Sequence, residues 1–301
     1  MSTSSPRWSS QTSGRQYWNE RGRRFSRSFF GAPTTQFYLE EEQRLFRDYF
    51  GELQCRKLLK LDLWNEAQNT EVLFRASQQG AECYGIEIAE TTARKAWNRS
   101  RALAVPIRIA VGEISVLPFP DNAFDYLYTM GTIEHLPKPE DAFAEIARVL
   151  KPGGVAIVGV PNKRDPFLFP VASGFLQVMG RYPYGYERSY TNGELGRQLE
   201  AQGLRVTHED GILFFPWFLR FLDMYLWLSW PSACRMTSLL LEPFRWIAHH
   251  RGLVRRFGYL TVCVARKRAD SAPRRGPSTS FLRFQGGRST ESAPLPGREG
   301  V

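Results

Sequence analysis

The sequence predicts an α/β fold with a doubly wound, mostly parallel sheet. Strand and helix patterns alternate regularly from Arg56 to Pro161, which is typical of such sheets, and more loosely from there to about Lys267. Polar or acidic residues end the predicted strands, as at Asp62 and Glu87. Because ligands of these folds bind at the carboxyl ends of the strands, we expect the functional site there.

The first half of the domain reads clearly as alternating elements. An amphipathic helix is predicted over 34–50, and the leucine-rich segment 56–67 contains the first strand. A single helix is predicted from Glu66 to Gln79, with Gly80 as its C-cap. The following elements are a strand in 81–88, a helix over 90–101, a strand in 106–111 and a strand over 124–130.

The second half begins with a helix over 139–150, which the KPGG segment (151–154) stops before another apolar strand. A helix is predicted over 167–179, followed by a tyrosine-rich loop over 181–190 at the mouth of the site. Thr191 precedes Glu194 by three residues, which is the spacing of a capping box. Strands six and seven begin near Arg205 and Gly258.

Between strands six and seven, residues 214–250 form an apolar helical insertion. Its first part, 214–231, is nearly long enough to cross a bilayer, but prolines, an arginine and an aspartate interrupt it. Its aromatic residues favour a helix lying on a membrane surface or a lid over an apolar substrate. The alternative is a helical pair that packs on the sheet edge or forms a dimer contact.

Composition limits the possible partners. The chain has 301 residues and a formal charge of +10, but much of this charge lies in two segments predicted to be disordered, 1–33 and 268–301. The alternative for 1–33, whose aromatic residues are interleaved with the basic ones, is a segment that folds over a membrane or a ligand. Nucleic-acid binding requires a basic face on a folded module, so specific binding of nucleic acid is not expected.

The 4 cysteines are scattered without CxxC spacing, and no metal site or disulfide framework is expected. The first residues lack the apolar core of a secretory signal. These features predict a cytoplasmic protein that contacts membranes peripherally, if at all, through 214–231.

Three segments together resemble the class I S-adenosylmethionine-dependent methyltransferases, in particular the branch that acts on quinones and lipids. They are LPFPDNAFD (117–125), GTIEHL (131–136) and EIARVLKPGG (145–154). The resemblance covers residues 58–161 well and extends more loosely to about Lys267. It implies the Rossmann-like methyltransferase fold, with a sheet of seven strands whose last strand is antiparallel, and S-adenosylmethionine as cofactor. In this family a helix such as 34–50 often covers the cofactor pocket, and the alternative is a helix that only packs on the sheet.

The resemblance also implies the cofactor contacts. Glu87 ends strand two, where related sheets carry the acid that binds ribose hydroxyls. Glu113 and Ile114 lie where the family binds adenine. The full set expected to contact the cofactor is Asp62, Trp64, Asn65, Glu66, Glu87, Ile88, Glu113, Ile114, Met130 and Gly131.

The first loop departs from the family pattern. Asp62, Trp64 and Glu66 occupy positions that align with the family's glycines, so we expect the loop to follow another path. In one interpretation an acid meets the cofactor's ammonium and Trp64 lines the pocket. In the other, the domain no longer binds the cofactor. Acidic residues here disfavour a dinucleotide, whose pyrophosphate they would repel.

His135 and Glu134 are the candidate catalytic residues, with His135 as a base for an acceptor that must lose a proton. A structural role for His135 is the alternative. Further residues expected to line the pocket are Tyr38, Asn162, Tyr184, Tyr186 and Tyr190.

The predicted function is methyl transfer to a small apolar acceptor such as a lipid, a quinone or an isoprenoid-like molecule. A non-catalytic relative that serves as a binding or scaffold protein is the main alternative. A nicotinamide enzyme on a similar sheet is less favoured because the chain has no GxGxxG motif.

Overall fold

The structure is a computed structural model that describes residues 14–24 and 27–269. Its sheet has seven strands in the order β3-β2-β1-β4-β5-β7-β6. The strands are β1 Lys57–Leu61, β2 Glu82–Glu87, β3 Ile107–Val111, β4 Phe124–Met130, β5 Leu150–Pro161, β6 Leu204–Ile212 and β7 Leu260–Lys267. Strand β7 runs antiparallel to both of its neighbours, whereas the other pairs are parallel, so the predicted fold class is confirmed.

Helices flank this sheet on both faces and also form the insertion before the last strand. They are α1 Gly14–Arg24, α2 Pro33–Tyr49, α3 Trp64–Gln68, α4 Val72–Gln78, α5 Glu90–Ala102, α6 Pro139–Val149, α7 Phe169–Val178, α8 Asn192–Ala201, α9 Trp217–Ser229, α10 Cys234–Ala248 and α11 Arg251–Phe257. Short 3-10 turns lie at Ile133–His135 and Pro231–Ala233.

Alternation along β1 produces two hydrophobic cores. Leu58 points to the face covered by α2 and α4, where it packs in a cluster with Phe46 and Leu73. Leu59 and Leu61 point to the opposite face and pack beneath α6. Burial on both faces is the reason why β1 reads as a nearly continuous apolar run.

Three predicted elements differ from the structure. Residues 14–24 belong to the segment predicted to be disordered, yet they form α1, which buries Tyr17 and packs against α5. The helix predicted over 66–79 is two helices, because the chain breaks at Asn69 and Glu71 takes a positive φ of 62°. The KPGG segment lies within β5 instead of preceding it. Residues 27–33 of the segment predicted to be disordered are described too, and Phe29 and Ala32 are buried there. Residues 1–13, 25–26 and 270–301 lie outside the described residues.

Other local predictions agree with the structure. Thr191 and Glu194 form the reciprocal capping box at the start of α8. The predicted insertion is present as α9, α10 and α11 between β6 and β7. Among residues 14–24 and 27–269, no helix is both long enough and apolar enough to span a membrane.

A buried cation lies at the centre of the sheet. Lys60 on β1 is 0% exposed, and its Nζ lies 3.1 Å from the buried Glu66 carboxylate. It also donates to the Asp62 carbonyl at 3.0 Å. Burial alone lowers the pKa of Lys60, but the carboxylates of Asp62, Glu66 and Glu42 outweigh burial and hold the pKa above its ordinary value. The ammonium therefore stays charged and ties β1 to the loop that follows it.

Replacing Lys60 by methionine should lower the free energy of unfolding by about 3–5 kcal/mol, because Glu66 would remain as a buried carboxylate without its counter-ion. Urea denaturation followed by circular dichroism measures this change. Lys57→Met on the same strand is the matched control, since Lys57 is only half-buried, and it should change the free energy by less than about 0.5 kcal/mol. If the two substitutions lowered the free energy of unfolding equally, the Lys60–Glu66 ion pair would not be what stabilises the loop.

Candidate functional site: a cavity at the strand ends

A cavity of about 540 Å³ lies at the carboxyl ends of β1, β2, β3 and β4. We call it the strand-end cavity. Its size is within the range of small-molecule sites. It is lined by nearly all of the residues that the sequence assigned to the site: Asp62, Trp64, Asn65, Glu87, Ile88, Glu113, Ile114, Met130, Gly131, Glu134 and His135. The structure thus brings these side chains to one place, although their contacts with a ligand stay a prediction.

The loop after β1 retains a glycine-like turn without glycine. Asp62 has a φ of 96°, in the region that glycine adopts freely and other residues rarely enter. The side chain and backbone compensate for the strain: the carboxylate accepts from Thr132 Oγ1 at 2.7 Å, and the Asp62 amide donates to the Ile86 carbonyl at 2.9 Å. Trp64 and Glu66, the other two positions aligned with the family's glycines, lie in α3.

Glu87 crosses from β2 to the same loop. Its Oε2 accepts a hydrogen bond from the Leu63 amide at 3.0 Å and its Oε1 accepts one from the Ala89 amide at 2.9 Å. Burial raises the pKa of Glu87 to about 7, an effect that the two amides and Lys60 oppose and Asp62 reinforces. An ionised carboxylate has about four acceptor positions, so each oxygen can accept one further bond from a ligand hydroxyl.

Glu66 is the exception among the predicted cofactor contacts. It does not line the cavity, and its carboxylate lies beneath the loop on Lys60. Its Oε1 accepts from the Leu73 amide at 3.1 Å, in the first turn of α4. Glu66 is thus engaged in holding two helices and a strand together, which corrects its expected role as a ligand contact.

The proposed catalytic pair lies at the end of β4. His135 Nδ1 is 2.8 Å from the Tyr186 carbonyl, which can only accept, so Nδ1 carries the proton and Nε2 is free of it. Burial lowers the pKa of His135 to about 4, so the ring is neutral at neutral pH. Burial, with the nearby Glu187, raises the pKa of Glu134 well above its ordinary value. These shifts make His135 a weak base and argue against the predicted role in proton removal.

Glu134, His135 and Glu187 also have the geometry of a small cation site. One ligand atom from each lies within 4.8 Å of those of the other two. The Tyr186 carbonyl orients the imidazole as a backbone partner commonly does in metal sites. One histidine and two carboxylates form a ligand set that borderline divalent metals accept.

The remaining wall of the cavity is aromatic, and sequence reasoning missed most of it. It draws on α1, the 181–190 loop, α7 and the insertion, with the residues Trp18, Phe169, Tyr182, Tyr184, Phe215, Trp217, Phe221 and Tyr259. Trp18 contacts His135, with ring centroids 5.2 Å apart. The interleaved aromatics of the basic N-terminal segment were the signal that could have indicated α1.

The expected pocket tyrosines divide into two groups. Tyr38 and Tyr184 line the cavity, whereas Tyr186, Tyr190 and Asn162 do not. Asn162 instead donates to the Arg256 and Gly258 carbonyls, which fixes the segment before β7. Helix α2 reaches the cavity only through Tyr38 and packs mainly in the core, so α1 covers the pocket in its place.

Comparison with known proteins gives the class. Residues 66–158 match the family described as "Methyltransferase domain". Squalene methyltransferase 1 of Botryococcus braunii is 40% identical over 82 residues, 27% of this chain and 22% of that protein. Sterol 24-C-methyltransferase of Pneumocystis carinii is 32% identical over 226 residues, 68% of this chain and 58% of that protein. The solved cyclase SpnF superposes with a TM-score of 0.53 at 20% identity, covering 76% of this chain and 80% of that one.

The match over residues 66–158 identifies a methyltransferase domain, and the strand order and the strand-end cavity agree with it. Solved structures that share this fold include an S-adenosylmethionine-dependent methyltransferase of Thermotoga maritima, which superposes with a TM-score of 0.53 at 17% identity and covers 84% of this chain and 97% of that one. The matches span less than two thirds of either curated relative, 22% of one and 58% of the other.

Proposed function

We propose that this protein transfers the methyl group of S-adenosylmethionine to a lipid-like acceptor. The main support for this proposal is the set of residues that line the strand-end cavity. Its floor has the carboxylates of Asp62, Glu87 and Glu113, and its far wall is apolar and aromatic up to Phe221 on α9. A polar cofactor and an apolar acceptor would thus meet in one enclosed space. The curated relatives named for squalene and sterol methylation support an apolar acceptor.

The residues fit the cofactor part by part. Glu87 would accept the ribose hydroxyls, since each carboxylate oxygen keeps a free acceptor position. Ile88 and Ile114 offer apolar surfaces to adenine, and Glu113 lies beside them. The cofactor has no phosphate, which agrees with a floor made of acids. When bound, it supplies a methyl group on a sulfonium for in-line displacement.

The protein's own contribution to this reaction is alignment and exclusion of water. Trp18 and Tyr184 flank His135 and close the cavity from outside. Because the pKa of His135 is about 4, the ring would position an acceptor, as a neutral hydrogen-bond partner, rather than remove a proton.

Incubation with S-adenosylmethionine labelled in its methyl group should transfer label to squalene or a sterol, and not to glycine as a polar control. Organic extraction and scintillation counting measure the product. Glu87→Ala should reduce transfer by at least about ten-fold, because a ribose contact is lost. Tight S-adenosylhomocysteine binding without transfer to any apolar acceptor would instead favour the non-catalytic binding protein.

The affinity for S-adenosylhomocysteine should rise about ten-fold from pH 6 to pH 8. Ribose binding needs the ionised carboxylate of Glu87, whose pKa of about 7 means that the competent fraction grows across this interval. Lys60 and Asp62 are the charged groups that face it. Calorimetric titration at several pH values measures the change.

Two glutamine variants separate Glu87 from its neighbours. Glu87→Gln should abolish this pH dependence, whereas Glu187→Gln should retain it, although burial also raises the pKa of Glu187 to about 7. Retention of the full pH dependence in Glu87→Gln would contradict the ribose role.

The insertion helices would bring the protein to a membrane surface. Helices α7, α9 and α10 carry a large share of the exposed apolar side chains of the described chain: Val171, Phe175, Val178, Phe218, Phe221, Leu222, Tyr225, Met236, Leu239, Leu240 and Trp246. Phe221 both lines the cavity and is 47% exposed, so an acceptor could enter from this side.

Replacing Phe218, Tyr225 and Trp246 together by serine should weaken flotation with vesicles containing phosphatidylglycerol by at least about ten-fold. Each substitution removes apolar surface that the membrane would otherwise bury. The matched control replaces Leu103 and Val116, which are exposed but lie outside these helices. Equal flotation of the triple variant and the wild type would rule out this surface.

A further inference from the structure

Arg220 on α9 is a cation directed into the strand-end cavity. Its Nη2 donates to Asn69 Oδ1 at 3.0 Å, and its guanidinium carbon lies 5.4 Å from the ring centroid of Tyr38. Its Nη1 is buried and has no hydrogen-bond partner. A buried guanidinium N–H without an acceptor costs free energy unless a ligand accepts a hydrogen bond from it.

No carboxylate of the described residues lies within 4.0 Å of Arg220. Other half-buried arginines of the chain are paired: Arg44 and Arg251 with Asp210, and Arg148 with Glu145. Among the described residues that line the cavity, the lysines and arginines are Arg220 and Lys138, and Lys138 is exposed at the rim. Arg220 is therefore the cation available to an anionic group inside the cavity.

Arg220 and Asp62 act on the same part of the cavity. Asp62, Tyr38 and Arg220 all line the cavity, and burial, Glu42 and Asp62 raise the pKa of the Tyr38 hydroxyl whereas Arg220 lowers it. The wall around Tyr38 thus presents a carboxylate and a guanidinium to the same space. This arrangement complements a zwitterion that carries an ammonium and a carboxylate on one carbon.

The loop after β1 has few amides left for a ligand carboxylate. The Leu63 amide donates to Glu87, and the Trp64 amide donates to Asp62 Oδ1 at 3.2 Å. In a glycine turn, such amides remain free to approach a ligand. A carboxylate bound beside this loop therefore needs a donor from another element.

Helix α9 is held where it can supply that donor. Asp223, one turn after Arg220, is buried and accepts from the Thr34 amide at 2.8 Å and from the hydroxyls of Thr34 and Thr237. Asn69 continues the contact to the first loop by donating to Asn65 Oδ1 at 2.8 Å. Arg220 is thus linked through one amide side chain to the loop that follows β1.

We propose that Arg220 binds the carboxylate of the methionine end of S-adenosylmethionine, with Asp62 facing the ammonium. This inference rests on the proposed function. It means that the insertion between β6 and β7 completes the cofactor site, taking over a contact that the substituted loop no longer offers. An acidic group on the acceptor is the other source of the same chemistry, and the experiment separates the two.

The test compares two ligands by calorimetry: S-adenosylhomocysteine, which has the carboxylate, and 5′-methylthioadenosine, which lacks the whole amino-acid end. Arg220→Gln should weaken S-adenosylhomocysteine about 10- to 100-fold, the value of a charged hydrogen-bonded contact. It should change 5′-methylthioadenosine by less than about two-fold. Arg220→Lys, which keeps the charge but not the fork, should fall between wild type and Arg220→Gln.

Arg245→Gln is the matched control, since Arg245 lies on α10 and pairs with Glu40 away from the cavity. It should leave both affinities unchanged. Equal weakening of both ligands in Arg220→Gln would overturn the inference, because it would indicate a general loss of pocket structure. If the affinity for S-adenosylhomocysteine is unchanged and the KM for the lipid acceptor is raised, the inference is overturned and Arg220 binds an acidic group of the acceptor instead. No binding of S-adenosylhomocysteine by the wild type would overturn the proposed function itself.

Discussion

The buried ammonium of Lys60 is the interaction on which the ligand end of the sheet depends. It contacts Glu66 and the backbone of Asp62, which lie on the loop directly after its own strand. A charge in the centre of a sheet is stable only when carboxylates surround it. The same carboxylates are thereby withdrawn from solvent, and the loop is held against β1 by an ion pair rather than by backbone packing alone.

This ion pair explains how the chain forms the first turn with an aspartate. A positive φ at Asp62 costs energy of order 1 kcal/mol, and the bonds from Lys60 and Thr132 offset it. As a consequence, two amides that follow Asp62 are occupied by carboxylates of the protein: the Leu63 amide by Glu87 and the Trp64 amide by Asp62. Cofactor recognition would then be distributed over distant parts of the chain: Glu87 on β2, Trp18 on α1 and Arg220 on α9.

The apolar insertion can both line the cavity and face a lipid surface, because a buried acid also fixes its position. Its inner side is fixed by the buried Asp223, which accepts from Thr34 and Thr237 and so locks α9 to α2 and α10. Its outer side exposes aromatic and aliphatic residues that no part of the described chain covers. A helix fixed on one side and apolar on the other can line a ligand cavity and face a lipid surface together.

The sequence by itself determined the sheet, the strand ends and most of the acids that line the cavity, since short apolar runs and the residues that follow each of them are local signals. It also determined the capping box at Thr191 and the place of the insertion. It could not reveal that the Glu66 carboxylate lies beneath the loop on Lys60, because only packing decides which of Asp62 and Glu66 lines the cavity and which is buried. Nor could it bring Arg220 or Trp18 to the cavity, because each reaches the site from an element more than thirty residues away in the chain. The tertiary structure decided those contacts, because packing of the folded chain determines which groups a buried charge or aromatic ring can contact.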